Sequence, residues 1–390
     1  MAIRYDESTR TFHLQSGNVS YVMQIVKDGY LAHLYWGSRI RGTAIHDMMP
    51  KSFRPSFNPN PFPEDETFSL DTLPQEYPGY GTSDFRSPAY QVRLANGTTI
   101  AEFKVTGHRI VPGKPALEGL PAVYAENDGE AETLEIELED AAAKLKLIAS
   151  YTAFRNSDAI ARSAKLVNLG GEPVRVQRLL SASVDLPHSR FDAVHLWGTW
   201  ARERHLARRA LMPGVQAIES RRGSSSHQHN PFFAVVSPDA NEDHGEVYAM
   251  NLVYSGSFLA QAEVDQFAST RLSIGLNPFD FEWLLESGQS LQSPEAVLVF
   301  SREGLGGMSR TFHKVYRTRL CRGAFRDKER PILINNWEAT YFDFDSEKLL
   351  RIVSAAKELG LELFVLDDGW FGQRNDDKRS LGDWFVNTDK

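Results

Sequence analysis

From the N-terminus to about Phe300 the chain is written in one hydrophobic period, and after Phe300 the period changes. "ETLEIELED" alternates apolar and acidic residues. A period of two puts successive side chains on opposite faces, the pattern of a half-buried strand. "AKLKLIASYTAF", "VRVQRLLSASVDL", "EVYAMNLVYSG", "TRLSIGL" and "EAVLVF" continue it. Gly, Pro and Asn punctuate the runs, and "NLGGEP" and "LANGTT" read as hairpin turns. Many strands, frequent turn signals and few helices predict a large antiparallel sandwich. No internal repeat of fixed period is present. One stretch, Pro55 to Gly81, is too rich in Pro to be a strand and reads as an extended loop. It is either a coat over a sandwich edge or a functional, interface-forming loop.

Beyond Phe300, Met308, Phe312, Val315, Tyr316 and Leu320 recur at spacings of three and four, with Lys and Arg outside them. That is one apolar helix face, and the helix reads as a connector between domains. "ILINNWEATYF" after Pro331 is a strand candidate. "DSEKLLRIVSAAKELG" is a helix with Asp345 or Ser346 as N-cap and Gly360 as its stop, and "LELFVL" is a second strand. Strand, helix and strand in about 35 residues make a βαβ unit and hence a parallel sheet. A length of 390 residues is itself more than one ordinary core accommodates. The expected division is a sandwich over 1–303, a linker helix over 304–330, and an α/β region over 331–390.

Composition excludes several classes. The formal net charge is −8, which argues against nucleic acid or an anionic membrane as the main partner. Cys321 is the single cysteine, so neither an internal disulfide nor a thiolate metal cluster can form, and a reducing compartment fits. "MAIRYDESTR" has no apolar core of a secretory signal, and no run is long enough to span a bilayer. A cytoplasmic protein is expected.

Ligands of parallel α/β folds bind outside the carboxyl ends of the strands. The first strand ends near Asn336 and Trp337, the second at Asp367, Asp368, Gly369 and Trp370. Adjacent strand residues point to opposite faces, so two carboxylates converge only where the strand is already turning, which Gly369 permits. Carboxylates accept hydrogen bonds from several hydroxyls, and an indole covers a sugar's apolar C–H face. Asp-Asp with Trp therefore suits a carbohydrate. The alternative is structural: one Asp caps the following helix, and the other pairs with Arg374 or Lys378.

Weaker signals have plainer readings. His227 and His229 are spaced like metal ligands but lack a third, and read as a turn before "NPFF"; no metal is expected. "GLGG" (Gly304 to Gly307) lacks the Lys-Ser/Thr of a phosphate loop and reads as a hinge. "RNDDKR" (Arg374 to Arg379) reads as a solvated loop with internal ion pairs. In "GTSDFRSP" Asp84 and Arg86 are expected to pair and order the loop. Cys321 reads as a packed structural thiol.

"NNWEATYFDF" and "FVLDDGWFGQRNDDKRSLGDW" resemble the first two barrel strands of the α-galactosidases of glycoside hydrolase family 36. "GYGTSDFRSPAYQ", "LWGTWARERH" and "SSSHQHNPFF" are similar to that family's N-terminal domain. The resemblance runs through essentially the whole chain. It implies an N-terminal antiparallel β-supersandwich followed by the first βαβ portion of a (β/α)8 TIM barrel. It also implies a retaining hydrolase that removes terminal α-linked galactose from melibiose- and raffinose-type sugars, without cofactor or metal. Asp367 and Asp368 match the carboxylates that hold the galactose O4 and O6 hydroxyls, and Trp337 matches a tryptophan lining the pocket. Trp200 matches an aromatic over the pocket mouth, or is a core or interface Trp. Relatives acting on α-N-acetylgalactosamine, galactosyltransferases of the raffinose-synthase type, and a non-catalytic carbohydrate-binding module are the alternatives. The family's oligomers imply a homo-oligomer, by analogy a tetramer.

A retaining glycosidase needs two carboxyl groups about 5–5.5 Å apart. The family's nucleophile lies in a Lys-Trp-Asp pattern that this sequence lacks. Two parallel strands and one helix cannot close a barrel, and "LELFVL" is apolar on both faces, as in a strand covered on both sides. The expectation is an N-terminal portion of a longer enzyme, inactive alone, with nucleophile and acid/base aspartates beyond Lys390.

Overall fold

The computed structural model describes every residue except Met1, Thr43, Ala44, Lys51, Ser52, Arg54, Pro55, Ser56 and Pro59. The chain divides into two compact units, Met1–Cys321 and Arg322–Lys390.

The first unit is built from antiparallel sheets, as the alternating pattern requires. Ile3–Asp6, Thr11–Ser16, Val19–Val26 and Tyr30–Ser38 form a four-stranded meander. A ten-stranded sheet runs from the edge strand Arg202–Ala210 to the opposite edge Lys104–Pro112, with Ala131–Asp140, Leu145–Phe154 and Ala159–Asn168 among its members. A six-stranded sheet centres on Val174–Leu186, flanked by Thr270–Leu276, Tyr90–Arg93 and Trp283–Leu285. The three sheets share one core. Phe12, Leu14 and Tyr21 of the meander pack with Leu134 and Leu147 of the large sheet and with Val184 and Ile274 of the smaller one. The alternation in "ETLEIELED" is realised as Leu134, Ile136 and Leu138 buried inward.

Four readings need correction. "NLGGEP" is not a hairpin, because Ala159–Asn168 pairs in the ten-stranded sheet and Val174–Leu186 in the six-stranded one. The segment carries the chain between sheets, and buried Asn168 stitches it by donating to the carbonyls of Glu172 (2.8 Å) and Leu285 (3.0 Å). "GLGG" is not a hinge. It opens the helix Gly304–Val315, whose Leu305, Met308, Phe312 and Val315 bury against Val194, Ala234, Val297 and Val299 of the large sheet. A Cβ on Gly304 would sit 2.2 Å from the Asn241 carbonyl oxygen, and φ there is +63°; the glycines serve close approach. Cys321 is exposed, because the chain leaves the helical turn there in an extended conformation (φ −60°, ψ 138°). Arg374 of "RNDDKR" is buried, not solvated.

Pro55, Ser56 and Pro59 of the long loop lie outside the described residues. Its described part coats the meander: Phe68, Leu70 and Leu73 pack with Tyr30 and Ala32, and Glu76 N donates to Leu31 O. The loop then drives Glu76, fully buried, into the core. The carboxylate accepts from Tyr21 Oη (2.8 Å) and Tyr151 Oη (2.9 Å), meets His33 Nδ1 at 2.6 Å, and lies 3.3 Å from Arg162 Nη2. These partners come from three strands of two sheets and from the strand Ala159–Asn168. A second network follows in "GTSDFRSP". Asp84 accepts from Arg86 Nε (3.0 Å), as expected, and also from buried Arg271 Nη2 (2.8 Å), which is bidentate to Asp185.

Removing one partner of a buried ion pair leaves an uncompensated charge. Glu76→Gln is therefore expected to lower unfolding free energy by about 3–5 kcal/mol in denaturant titration. Burial alone would push the Glu76 carboxyl up, but Arg162 and then His33 hold it below its ordinary value. Its contribution is thus complete above the ordinary carboxylate value of about 4.3 and fades as pH falls below it. The loss of stability on acidification should be shallower in Glu76→Gln.

Candidate functional site

In the second unit Leu333–Asn335 and Leu363–Val365 pair in parallel, with Leu333 opposite Leu363 and Asn335 opposite Val365. The crossover helix is Ser346–Glu358. Asp345 is its N-cap, accepting from Lys348 N at 2.7 Å, and Gly360 ends it at φ +79°. The first strand is shorter than "ILINNWEATYF", because Asn336 turns the chain into the short helix Trp337–Thr340.

That turn places two asparagines beside two aspartates. Asn336 is fully buried, accepts from Asp367 N (2.8 Å) and donates to Thr340 Oγ1 (2.9 Å). Asn335 accepts from Trp337 N (2.7 Å) and donates through Nδ2 to Asp367 Oδ2 (2.6 Å). The other Asp367 oxygen accepts from Asp368 N (2.7 Å). Asp368 accepts from Gly369 N (2.7 Å) and takes Arg374 bidentately, Nε at 2.5 Å and Nη2 at 2.8 Å. Gly369 has φ +86°, a conformation that favours glycine, and a Cβ there would sit tightly at 3.1 Å from Phe342 and 3.2 Å from Phe344.

The hydrogen bond from Arg374 is the largest influence on Asp368. Together with Gly369 N and the Arg374 and Lys390 charges it holds the carboxyl below its ordinary value against the opposing effect of burial. Lys390 Nζ donates to the carbonyls of Phe342 (2.8 Å) and Gly369 (3.0 Å), tying the turn after the second strand to the segment after the first. Trp337 is half-buried, edge-on to Tyr341 (5.2 Å) and Phe342 (5.0 Å).

Asp367, Asp368 and Trp337 therefore share one strand-end cluster. Trp200 belongs to the first unit, at the tip joining Asp192–Thr199 to Arg202–Ala210, and is 80% exposed. The structural alternative for the aspartates is realised in part, since Asp368 does pair with Arg374. It does not exhaust either group. A carboxylate offers about four acceptor positions; Asp367 uses two and Asp368 three. Both are half-buried and keep capacity for hydroxyl donors. Sequence reasoning placed the first strand's end near Asn336 but gave neither Asn335 nor Asn336 a role, although two adjacent asparagines at a strand end are a turn signal.

The sequence profile of the glycosyl hydrolase family 36 N-terminal domain matches residues 29–286, and that of melibiase matches residues 290–390. Alpha-galactosidase AgaA of Geobacillus stearothermophilus is 58% identical over 390 residues, all of this chain and 53% of the relative. The crystal structure of the alpha-galactosidase AgaB of the same organism superposes with a TM-score of 0.95 at 58% identity, covering 99% of this chain and 53% of that one. A variant of AgaA solved in complex with raffinose superposes with a TM-score of 0.93 at 59% identity, covering 97% of this chain and 52% of that one. The chain thus spans about half the length of the relatives it matches. The chain belongs to glycosyl hydrolase family 36.

Proposed function

We propose that these 390 residues are part of a retaining α-galactosidase that releases terminal α-linked galactose from raffinose-type sugars. The observation that carries the reading is the strand-end cluster, in which Asn335 and Arg374 fix two adjacent carboxylates beside Trp337. Asp367 and Asp368 accept hydrogen bonds from the galactose O4 and O6 hydroxyls, and the Trp337 indole borders the sugar's C–H face. A sugar of the wrong configuration leaves these carboxylates unpaired, which is the source of selectivity.

Residues 331–390 are the start of a (β/α)8 barrel in this reading. Apolar residues of the strand pair and its helix are widely exposed, with Leu333 at 49%, Leu363 at 41% and Leu350 at 63%. Parallel sheets are covered on both faces, so these surfaces call for further barrel elements. Double displacement needs a nucleophile and an acid/base on opposite sides of the glycosidic bond. Asp367 and Asp368 are adjacent in the backbone and already engaged as described. Polypeptide beyond these residues supplies the catalytic pair, as the greater length of the relatives supports. Among the described residues no helix is long and apolar enough to cross a membrane; we place the enzyme in the cytoplasm as a homo-oligomer, by family analogy a tetramer.

In the longer enzyme, Asp368→Ala should raise KM and lower kcat/KM on an aryl α-galactoside by about 10²–10⁴-fold; unchanged kinetics would refute the assignment. Arg374 is a positioning residue. Arg374→Met should raise the Asp368 carboxyl toward its ordinary value of about 3.9. The acid limb of the kcat/KM profile then moves to higher pH, and Arg374→Lys should restore part of the shift.

A further inference from the structure

The six-stranded sheet carries an open groove under the loop that follows Thr270–Leu276. Gln91, Gln177 and Arg178 line its sheet side, and "NPFDFE" (Asn277 to Glu282) overhangs it. The loop is held rigidly. Buried Asn277 donates to Glu219 Oε2 (2.9 Å), Ser220 O (3.0 Å) and Phe258 O (3.2 Å), and its own Oδ1 accepts from Phe279 N (2.9 Å). Phe279 is thereby fixed outward. The Arg221 guanidinium, paired with Glu219 at 2.5 Å, lies 3.9 Å from the Phe279 ring centroid, and the ring is still 58% exposed.

The charges of the groove decide what it suits. Glu219 is neutralised by Arg221, and Glu282 by Arg175 at 2.6 Å. Arg178 and Asp280 make no ion pair among the described residues. Arg178 donates from Nη1 to Pro88 O (3.0 Å), while its Nε is buried without a partner. Arg178 also feels the charge of Glu263, so with Asp280 at its rim the groove holds no free cation among the described residues to favour a phosphate or carboxylate ligand. What remains is a set of donors and acceptors beside an exposed aromatic face: the Arg178 guanidinium, the Asp280 carboxylate and the Gln91 and Gln177 amides. That combination fits a neutral polyhydroxylated ring, whose hydroxyls both donate and accept and whose C–H face stacks on an aromatic.

From this we infer that the groove is a binding site for neutral saccharide, formed wholly by the first unit and independent of the strand-end cluster. Saturation-transfer NMR titration of the full chain with raffinose tests it, with galacturonate and inorganic phosphate as anionic controls. Phe279→Ala and Asp280→Ala alter exposed side chains, and unchanged melting temperatures would show that both fold. Each should weaken raffinose binding about tenfold or more, while Asp368→Ala leaves groove binding intact. Absence of raffinose binding would overturn the inference, as would binding unaffected by both groove variants, or preference for the anionic probes. Binding lost in Asp368→Ala alone would overturn it while supporting the strand-end site, so the two assignments fail separately.

Discussion

A single buried carboxylate ties the first unit together. Glu76 is delivered by an irregular loop and held by Tyr21 and His33 from the meander and by Tyr151 and Arg162 from the large sheet. Arg162 reaches on to Ser183 O of the six-stranded sheet at 2.8 Å, so one network touches all three sheets. Hydrophobic burial drives the sheets together but has no preferred direction. The network adds geometry, since its donors meet one carboxylate only when the sheets and the loop are in register. The Asp84–Arg271–Asp185 network repeats the device a few residues further along the chain.

The strand-end cluster of the second unit follows the same logic at smaller scale. Parallel pairing sets Asn335 opposite Val365, which brings its amide to Asp367 two residues beyond. Gly369 then turns the chain so that Asp368 faces Arg374 rather than stacking beside Asp367. The two carboxylates are thus held by distinct partners, Asn335 on Asp367 and Arg374 on Asp368. Hydroxyl binding of the kind proposed needs fixed acceptors, and these contacts hold both carboxylates in place.

Much of this was legible in the residues. Period-two alternation located the strands of the large sheet, and the three-and-four spacing of Met308, Phe312 and Val315 located the helix that packs on it. Asp345 and Gly360 marked their helix ends correctly. Which sheet a strand joins was not legible: "NLGGEP" has hairpin chemistry but spans two sheets, because local turn propensity carries no information about distant pairing. The burial of Glu76 was equally hidden, for a carboxylate in a Pro-rich loop looks solvated until its partners are brought in from residues 21, 33, 151 and 162. At the site, the aspartates and Trp337 stood out by type and Arg374 was one of two named partners for them, whereas Asn335 acts through strand register and the burial of Arg374 through a loop fold that its charged neighbours disguise.

The central claim is that Asp367 and Asp368 grip a galactose ring. A crystal structure of the longer enzyme with a galactose-configured inhibitor tests it most directly. The expected result is both carboxylates within about 2.5–3.0 Å of the O4 and O6 hydroxyls, with the Asn335 and Arg374 contacts retained. A sugar ring bound elsewhere, with both carboxylates still engaged only by Asn335, Arg374 and backbone amides, would contradict it.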